Sequence, residues 1–138
     1  MLLRYRISLS LIVIFYLSFL AWLTLLPPTY FSPGLLSFEG ADKVVHCAIY
    51  ALLSLLLFIL FIDISRKTPL RKYIIIFFLA SVYGLQMEFL QLWIKSALRS
   101  FEIGDIAANC VGVLCGIIFG YSISPFLVKR LISKPEVN

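Results

Sequence analysis

The chain carries a few ionisable and amide side chains inside segments that are otherwise strongly apolar. They form three groups along the sequence: Asp42, Lys43 and His46; Glu88 and Gln91; and Asp105 and Asn109. A carboxyl group near an imidazole in a partly desolvated environment is what general acid-base chemistry uses. We therefore predict His46 and Glu88 as a candidate catalytic pair, because an ionisable group in a segment this apolar is costly and by default indicates a functional site.

The other polar residues are predicted to bind and orient rather than to transfer protons. Arg99 and Lys43 would stabilise negative charge, and Asp105 and Asn109 would orient the reacting partners. The predicted binding set is Asp42, Lys43, Tyr50, Gln91, Arg99, Asp105 and Asn109.

Several of these residues also have a purely structural interpretation, and His46 taken alone is equally consistent with a buried polar residue whose hydrogen bonds are satisfied. Asp42 stands where a helix N-cap is expected. Gln91 and Asn109 are residue types that form hydrogen bonds between membrane helices. Long basic side chains such as Lys43 and Arg99 also reach the headgroup region without having any specific role.

Other classes of site have weaker signals. His46, Asp42, Glu88 and Asp105 offer nitrogen and oxygen donors for a metal, but the chain has one histidine and no H-E-x-x-H motif, and nearby bases would oppose a cation. We therefore predict no metal and no cofactor. A serine nucleophile lacks a G-x-S-x-G motif, and there is no phosphate-binding loop and no dinucleotide fingerprint.

The elements that position these residues are apolar enough to cross a bilayer. The 138 residues are 62% hydrophobic, with a mean hydropathy of +1.02, and a span needs roughly 20 mostly apolar residues. We predict an all-α fold, a single-domain integral membrane bundle over residues 1–138. Its four transmembrane helices are predicted at about 7–26, 43–62, 73–94 and 105–128. The first apolar run is longer than a signal segment and ends in Leu26-Pro27-Pro28, so we expect a retained helix.

The distribution of charge predicts the orientation. Of the 12 Lys and Arg residues, nine lie in the two tails and the middle loop, and only Lys43, Lys95 and Arg99 lie in the other two connections. The positive-inside rule then places both termini in the cytoplasm. The net charge of +5 is therefore explained by the basic residues on the predicted cytoplasmic side, and we predict no nucleic-acid partner.

Spacing predicts one inward face on each of the last three helices. The polar and small residues recur every three or four positions. They are Asp42, His46, Tyr50 and Ser54; Ser81, Gly84, Glu88, Gln91 and Lys95; and Asp105, Asn109, Gly112, Gly116 and Gly120. With the predicted topology, the three polar groups share the extracytoplasmic end of the bundle. The glycine steps are typical of helices whose backbones pack closely.

Anion recognition is favoured at that end. The second and fourth helices begin there with free N–H groups, and Lys43, Lys95 and Arg99 add positive charge. A phosphate-bearing headgroup or a carboxylate-bearing envelope component would suit the site. The first connection, 27–41, holds prolines and aromatic residues, and we expect it to lie in the outer interface and cover the site.

These motifs resemble those of the VanZ-like family. Asp42-Lys43-Val44-Val45-His46 followed by Tyr50 is similar to its D-K-x-x-H-x-x-x-Y signature. A second signature, E-x-x-Q, then R, then D-x-x-x-N-x-x-G-x-x-x-G, is matched at Glu88, Gln91, Arg99, Asp105, Asn109, Gly112 and Gly116. Together the two signatures span roughly residues 42–116. The first helix is similar only in being hydrophobic.

The resemblance implies a small multi-span protein of the bacterial cytoplasmic membrane with an envelope-related role. The founding member of the family is associated with resistance to the glycopeptide teicoplanin. The resemblance implies no agreed reaction, so three hypotheses stand. In the first, the polar residues form an extracytoplasmic pocket that binds a lipid-linked or cell-surface anionic component. In the second, the pocket also modifies that component as an enzyme. In the third, the chain is a non-catalytic membrane accessory whose polar residues serve helix packing.

Overall fold

A computed structural model describes residues 2–26, 38–62, 70–94 and 102–132. It contains four α-helices, α1 (Leu2–Leu25), α2 (Ala41–Phe61), α3 (Leu70–Trp93) and α4 (Ile103–Ile132). All four are long and apolar enough to cross a membrane, and the described residues contain no strand. The predicted all-α bundle of four membrane-spanning helices is confirmed.

The helices extend past the apolar runs that predicted them. Each begins two to five residues earlier than expected, and α4 continues to Ile132. The extensions take in polar residues such as Arg4, Arg71 and Lys129. An apolar run marks the part of a helix that lipid can surround, whereas backbone hydrogen bonding continues into the flanking polar residues.

The closest packing in the bundle joins α2 and α4, which run parallel. Gly112 faces the backbone of Cys47, and Gly116 faces the carbonyl of Ala51. A Cβ atom at either glycine would collide with that backbone. Because backbone cannot move aside as a side chain can, only glycine permits this approach, and the packing interpretation of the glycine steps is confirmed.

Helices α3 and α1 complete the bundle. The Phe58 and Tyr73 rings stack with centroids 5.9 Å apart, close to the end of α2 and the start of α3, so these helices are antiparallel. Helix α1 packs on α2 and α3. The Tyr16 hydroxyl donates to the carbonyl of Ile49 at 2.9 Å, and the Tyr83 hydroxyl donates to that of Leu17 at 2.5 Å.

The outward faces are apolar on every helix. Phe15, Phe78, Trp93 and Phe126 are among the large exposed hydrophobic side chains. A surface of this kind is suited to lipid. The bundle is therefore a multi-pass membrane protein, while its orientation in the bilayer stays a prediction from charge.

Candidate functional site

Three buried polar side chains from three helices meet at one end of the bundle. His46 of α2, Glu88 of α3 and Asn109 of α4 are 5%, 1% and 2% exposed. Nδ1 of His46 lies 3.0 Å from Oδ1 of Asn109 and 3.9 Å from Oε1 of Glu88. We call these residues the inner group. Their predicted convergence is confirmed.

A more exposed ring of charge lies one turn toward the end of the bundle. Nζ of Lys43 is 3.1 Å from Oδ2 of Asp42 and 3.0 Å from Oε2 of Glu102. The stem of Lys43 crosses α4 beside Gly104, where a Cβ atom would stand 2.7 Å from Cε. We call Asp42, Lys43 and Glu102 the outer group.

Asp105 connects the two groups. Its Oδ1 lies 3.6 Å from Nζ of Lys43, and its Oδ2 lies 3.9 Å from Nε2 of His46. The side chain is 12% exposed, between the 41% of Lys43 and the 7% of His46. A continuous series of polar groups therefore leads from the solvent-exposed rim into the bundle.

The charge of this cluster differs from the basic pocket expected for an anion. Among the described residues, four carboxyl groups face one lysine and one histidine across the inner and outer groups and Asp105. Lys43 is already surrounded by carboxylates. The other predicted positive residues, Lys95 and Arg99, lie outside the described residues, as do 27–37 of the first connection and 63–69 of the middle loop.

The start of α2 differs from the structural interpretation of Asp42. The N-cap is Gly40, which has a φ of 82°, and no side chain in the described part of the chain caps the helix. Asp42 lies in the first turn of α2, and Asp105 lies in the first turn of α4. Both carboxyl groups suit the partial positive charge of a helix start. The sequence indicated a turn in the first connection, but the N-cap interpretation of Asp42 was wrong, because α2 begins at Ala41, one residue before Asp42.

Gln91 and Tyr50 are close to the inner group but have different surroundings. Nε2 of Gln91 donates to the carbonyl of Thr24 at 2.7 Å, so this predicted binding residue joins α3 to α1. Tyr50 is fully buried, and its ring lies against Gly84 beside the amide of Asn109. Gln91 has the packing role that its sequence left open.

Several buried polar atoms of the cluster have no hydrogen-bond partner among the described residues. They include the hydroxyl of Tyr50, Oδ1 of Asp105 and Nδ2 of Asn109. Buried polar atoms in native proteins are nearly always paired with protein or with ordered water. A small polar ligand or water would complete them.

The arrangement supports two kinds of chemistry. The 3.9 Å between His46 and Glu88 exceeds a hydrogen bond, so a ligand within reach of both would be needed for proton transfer. Alternatively, an imidazole beside two carboxyl groups forms a ligand set for a cation. His46, Glu88 and Asp105 can place one ligand atom each within 4.8 Å of the others.

Two contributors were not among the predicted catalytic and binding residues. Glu102 binds Lys43, and its position three residues before Asp105, on the same face of a helix start, was the available signal. Thr24 contributes only a backbone carbonyl, which no side-chain pattern reveals.

Comparison with known proteins adds no relative to this description. No protein-family model matches the chain, and neither a curated protein nor a solved structure shows significant similarity to it.

Proposed function

We propose that the chain is a VanZ-like membrane protein of the bacterial envelope. In this proposal its polar cluster faces the extracytoplasmic side and binds the polar head of a lipid-linked or cell-surface anionic component. The VanZ-like assignment rests on sequence motifs, and the extracytoplasmic side rests on the positive-inside rule.

The observation that carries the proposal is the convergence of separated motif residues. Lys43 and His46 come from the first signature, and Glu88, Asp105 and Asn109 come from the second. All five lie in one polar series between the rim and the interior. Packing needs no such convergence, because apolar or small residues hold membrane helices together without the desolvation cost of charge.

Modification of the bound component is the enzyme version of this proposal. His46 and Glu88, 3.9 Å apart, would exchange a proton with a ligand atom that lies beside the pair within hydrogen-bond reach of both. The accessory alternative is favoured by Gln91, whose hydrogen bond to α1 has a structural role. The two readings predict different effects for substitutions that preserve shape.

A complementation experiment separates them. The measurement is susceptibility to envelope-targeting antibiotics in a strain deleted for the gene. There, His46→Gln and Glu88→Gln should fail to restore the wild-type susceptibility, while their expression and thermal stability stay close to those of wild type. Each substitution retains size and hydrogen bonding but removes titration. Ser54→Ala is the matched control, since Ser54 is also buried on α2 and its hydroxyl donates to the carbonyl of Ala51 of its own helix. If both test variants behave like wild type, His46 and Glu88 serve helix packing and the proposed site is wrong.

Native mass spectrometry of the purified protein supplies a direct test of binding. We expect a co-purifying lipid-linked or phosphate-bearing molecule on the wild-type protein and on Ser54→Ala, and its loss from His46→Gln. Equal retention by all three proteins would place the molecule on the lipid-facing surface.

A further inference from the structure

We infer that His46, Glu88 and Asp105 bind a divalent transition-metal ion, with one ligand from each of α2, α3 and α4. His46 and Glu88 are more than nine-tenths buried, and the side chain of Asp105 is 12% exposed. Their chemistry, one imidazole and two carboxyl groups, suits ions of the zinc and manganese class. The sequence alone favoured no metal, because it showed one histidine and several neighbouring bases.

The ligand atoms lie near one another but farther apart than in a closed metal centre. One ring nitrogen and one oxygen from each carboxyl group lie within 4.8 Å of one another, and Nε2 of His46 is 3.9 Å from Oδ2 of Asp105. Ligands about 2.0–2.2 Å from a tetrahedral zinc ion are roughly 3.3–3.6 Å apart. Binding therefore requires the three side chains to draw closer together than they stand in the bundle.

Asn109 has the position of an orienting residue behind the histidine. Its Oδ1 is 3.0 Å from Nδ1 of His46 and accepts a hydrogen bond when the ring proton is on that nitrogen. The tautomer then leaves a lone pair on Nε2, the nitrogen that faces Asp105. Histidines that bind metals are usually held in this way by a hydrogen bond from the other ring nitrogen. Glu88, whose Oε1 lies 3.9 Å from Nδ1, must turn toward Nε2 to bind the same ion.

The buried polar atoms give an independent reason to expect a ligand. Nε2 of His46 is too far from Asp105 for a hydrogen bond. Nδ2 of Asn109 and the hydroxyl of Tyr50 have no partner in the described part of the chain. A cation would take the lone pair of His46, and water beside the site would pair with the unpaired donors.

A second acidic trio nearby is already occupied by a cation of the protein. Oxygens of Asp42, Glu102 and Asp105 also lie within 4.8 Å of one another, but the ammonium of Lys43 lies among them. Lys43 opposes a metal at the inner site by its positive charge and by its ion pair with the ligand Asp105, 3.6 Å away. Removing its charge should strengthen metal binding at the inner site.

A bound ion also bears on the proposed ligand. An anionic headgroup is poorly matched to a cluster in which the described residues are mostly acidic, whereas an ion with an open coordination position would attract it. That consequence rests on the proposed function. Metal binding itself does not, and it is measured on purified protein without any envelope component.

The test uses the full chain in detergent with Zn²⁺ as the probe. Wild-type protein and a variant in which Cys47, Cys110 and Cys115 are replaced by serine are titrated calorimetrically, and the bound metal is counted by mass spectrometry after dialysis. We expect one Zn²⁺ per chain with and without the cysteines. With Co²⁺, the cysteine-free protein should show visible d–d bands of nitrogen and oxygen coordination.

Substitutions then assign the ligands. His46→Gln, Glu88→Gln and Asp105→Asn should each weaken Zn²⁺ binding by at least about tenfold, Asn109→Ala by about 10–100-fold, and Lys43→Met should strengthen it. Ser54→Ala is the neutral control. If a ligand variant does not fold, the Co²⁺ spectrum of the cysteine-free protein shows whether nitrogen and oxygen ligands hold the ion. The inference would be overturned if wild-type protein retained no Zn²⁺ or if removing the cysteines also removed the ion. It would also be overturned if Glu102→Gln lost as much Zn²⁺ affinity as Glu88→Gln.

Discussion

Oδ1 of Asn109 lies 3.0 Å from Nδ1 of His46, one helical turn from the point where Gly112 meets the backbone of Cys47. The polar contact therefore depends on the close approach of α2 and α4. Residues 46 and 47 of α2 face residues 109 and 112 of α4, so a change in helix separation at the glycine would also move the histidine from its partner.

Gly112→Ala should destabilise the protein by about 1–3 kcal/mol, the usual cost of overpacking a fixed contact, because the added Cβ meets the backbone of Cys47. The measurement is thermal unfolding in detergent by circular dichroism. Gly104→Ala is the matched control. Its Cβ would meet the flexible stem of Lys43, which can move aside, so a loss equal to that of Gly112→Ala would contradict the explanation.

Tyr16→Phe and Tyr83→Phe should each loosen α1 from the bundle. The two hydroxyls donate to carbonyl groups of Ile49 and Leu17 on neighbouring helices, and such bonds contribute about 0.6–1.7 kcal/mol in membrane proteins. Unfolding midpoints in detergent check this expectation, with Tyr121→Phe as an exposed control. Identical midpoints in all three variants would show that the hydroxyls do not hold α1.

Gln91→Leu should lower stability modestly without weakening Zn²⁺ binding. Its amide donates to the carbonyl of Thr24, so its loss affects the contact between α3 and α1. Calorimetric titration of the variant beside Glu88→Gln gives the comparison. An equal loss of Zn²⁺ affinity in the two variants would return Gln91 to the site.

The four helices and the inward position of His46, Glu88 and Asn109 could be predicted from sequence. Apolar length determines which segments can span a bilayer, and a three-or-four spacing determines which side chains share a helix face. Both features are local, so no knowledge of the neighbouring helices was needed.

The partners of the polar residues could not be predicted in the same way. Gln91 and Glu88 lie on one stripe of α3, yet Gln91 faces α1 and Glu88 faces α2. A stripe three or four residues apart winds slowly around its helix, so its two ends meet different neighbours. Lys43 illustrates the same limit. Its sequence position indicated that it lies at the polar end of the bundle, but its carboxylate partner Glu102 comes from a segment 59 residues away.

Orientation can be tested with single cysteines in a background without Cys47, Cys110 and Cys115. We expect Glu39→Cys to react with an impermeant maleimide in intact, wall-permeabilised cells, and Arg71→Cys to react only after lysis. Both positions are exposed at opposite ends of the bundle. The asymmetry of Lys and Arg motivates this orientation, and the reverse labelling pattern would invert the topology.

The stability of Glu88→Gln should depend on whether a metal is present. In EDTA the substitution should be neutral or stabilising, because a neutral amide avoids the cost of burying a carboxylate. With Zn²⁺ at about 100 times its dissociation constant, wild-type protein should gain about 2.7 kcal/mol from binding to the folded state alone, and the variant should gain much less. The unfolding midpoint of Glu88→Gln should therefore equal or exceed that of wild type in EDTA and fall below it in Zn²⁺. Ser54→Ala controls for loss of a buried hydroxyl and should follow wild type in both conditions. A Glu88→Gln protein that is equally destabilised with and without metal would show that Glu88 supports the fold through other contacts and does not bind the ion.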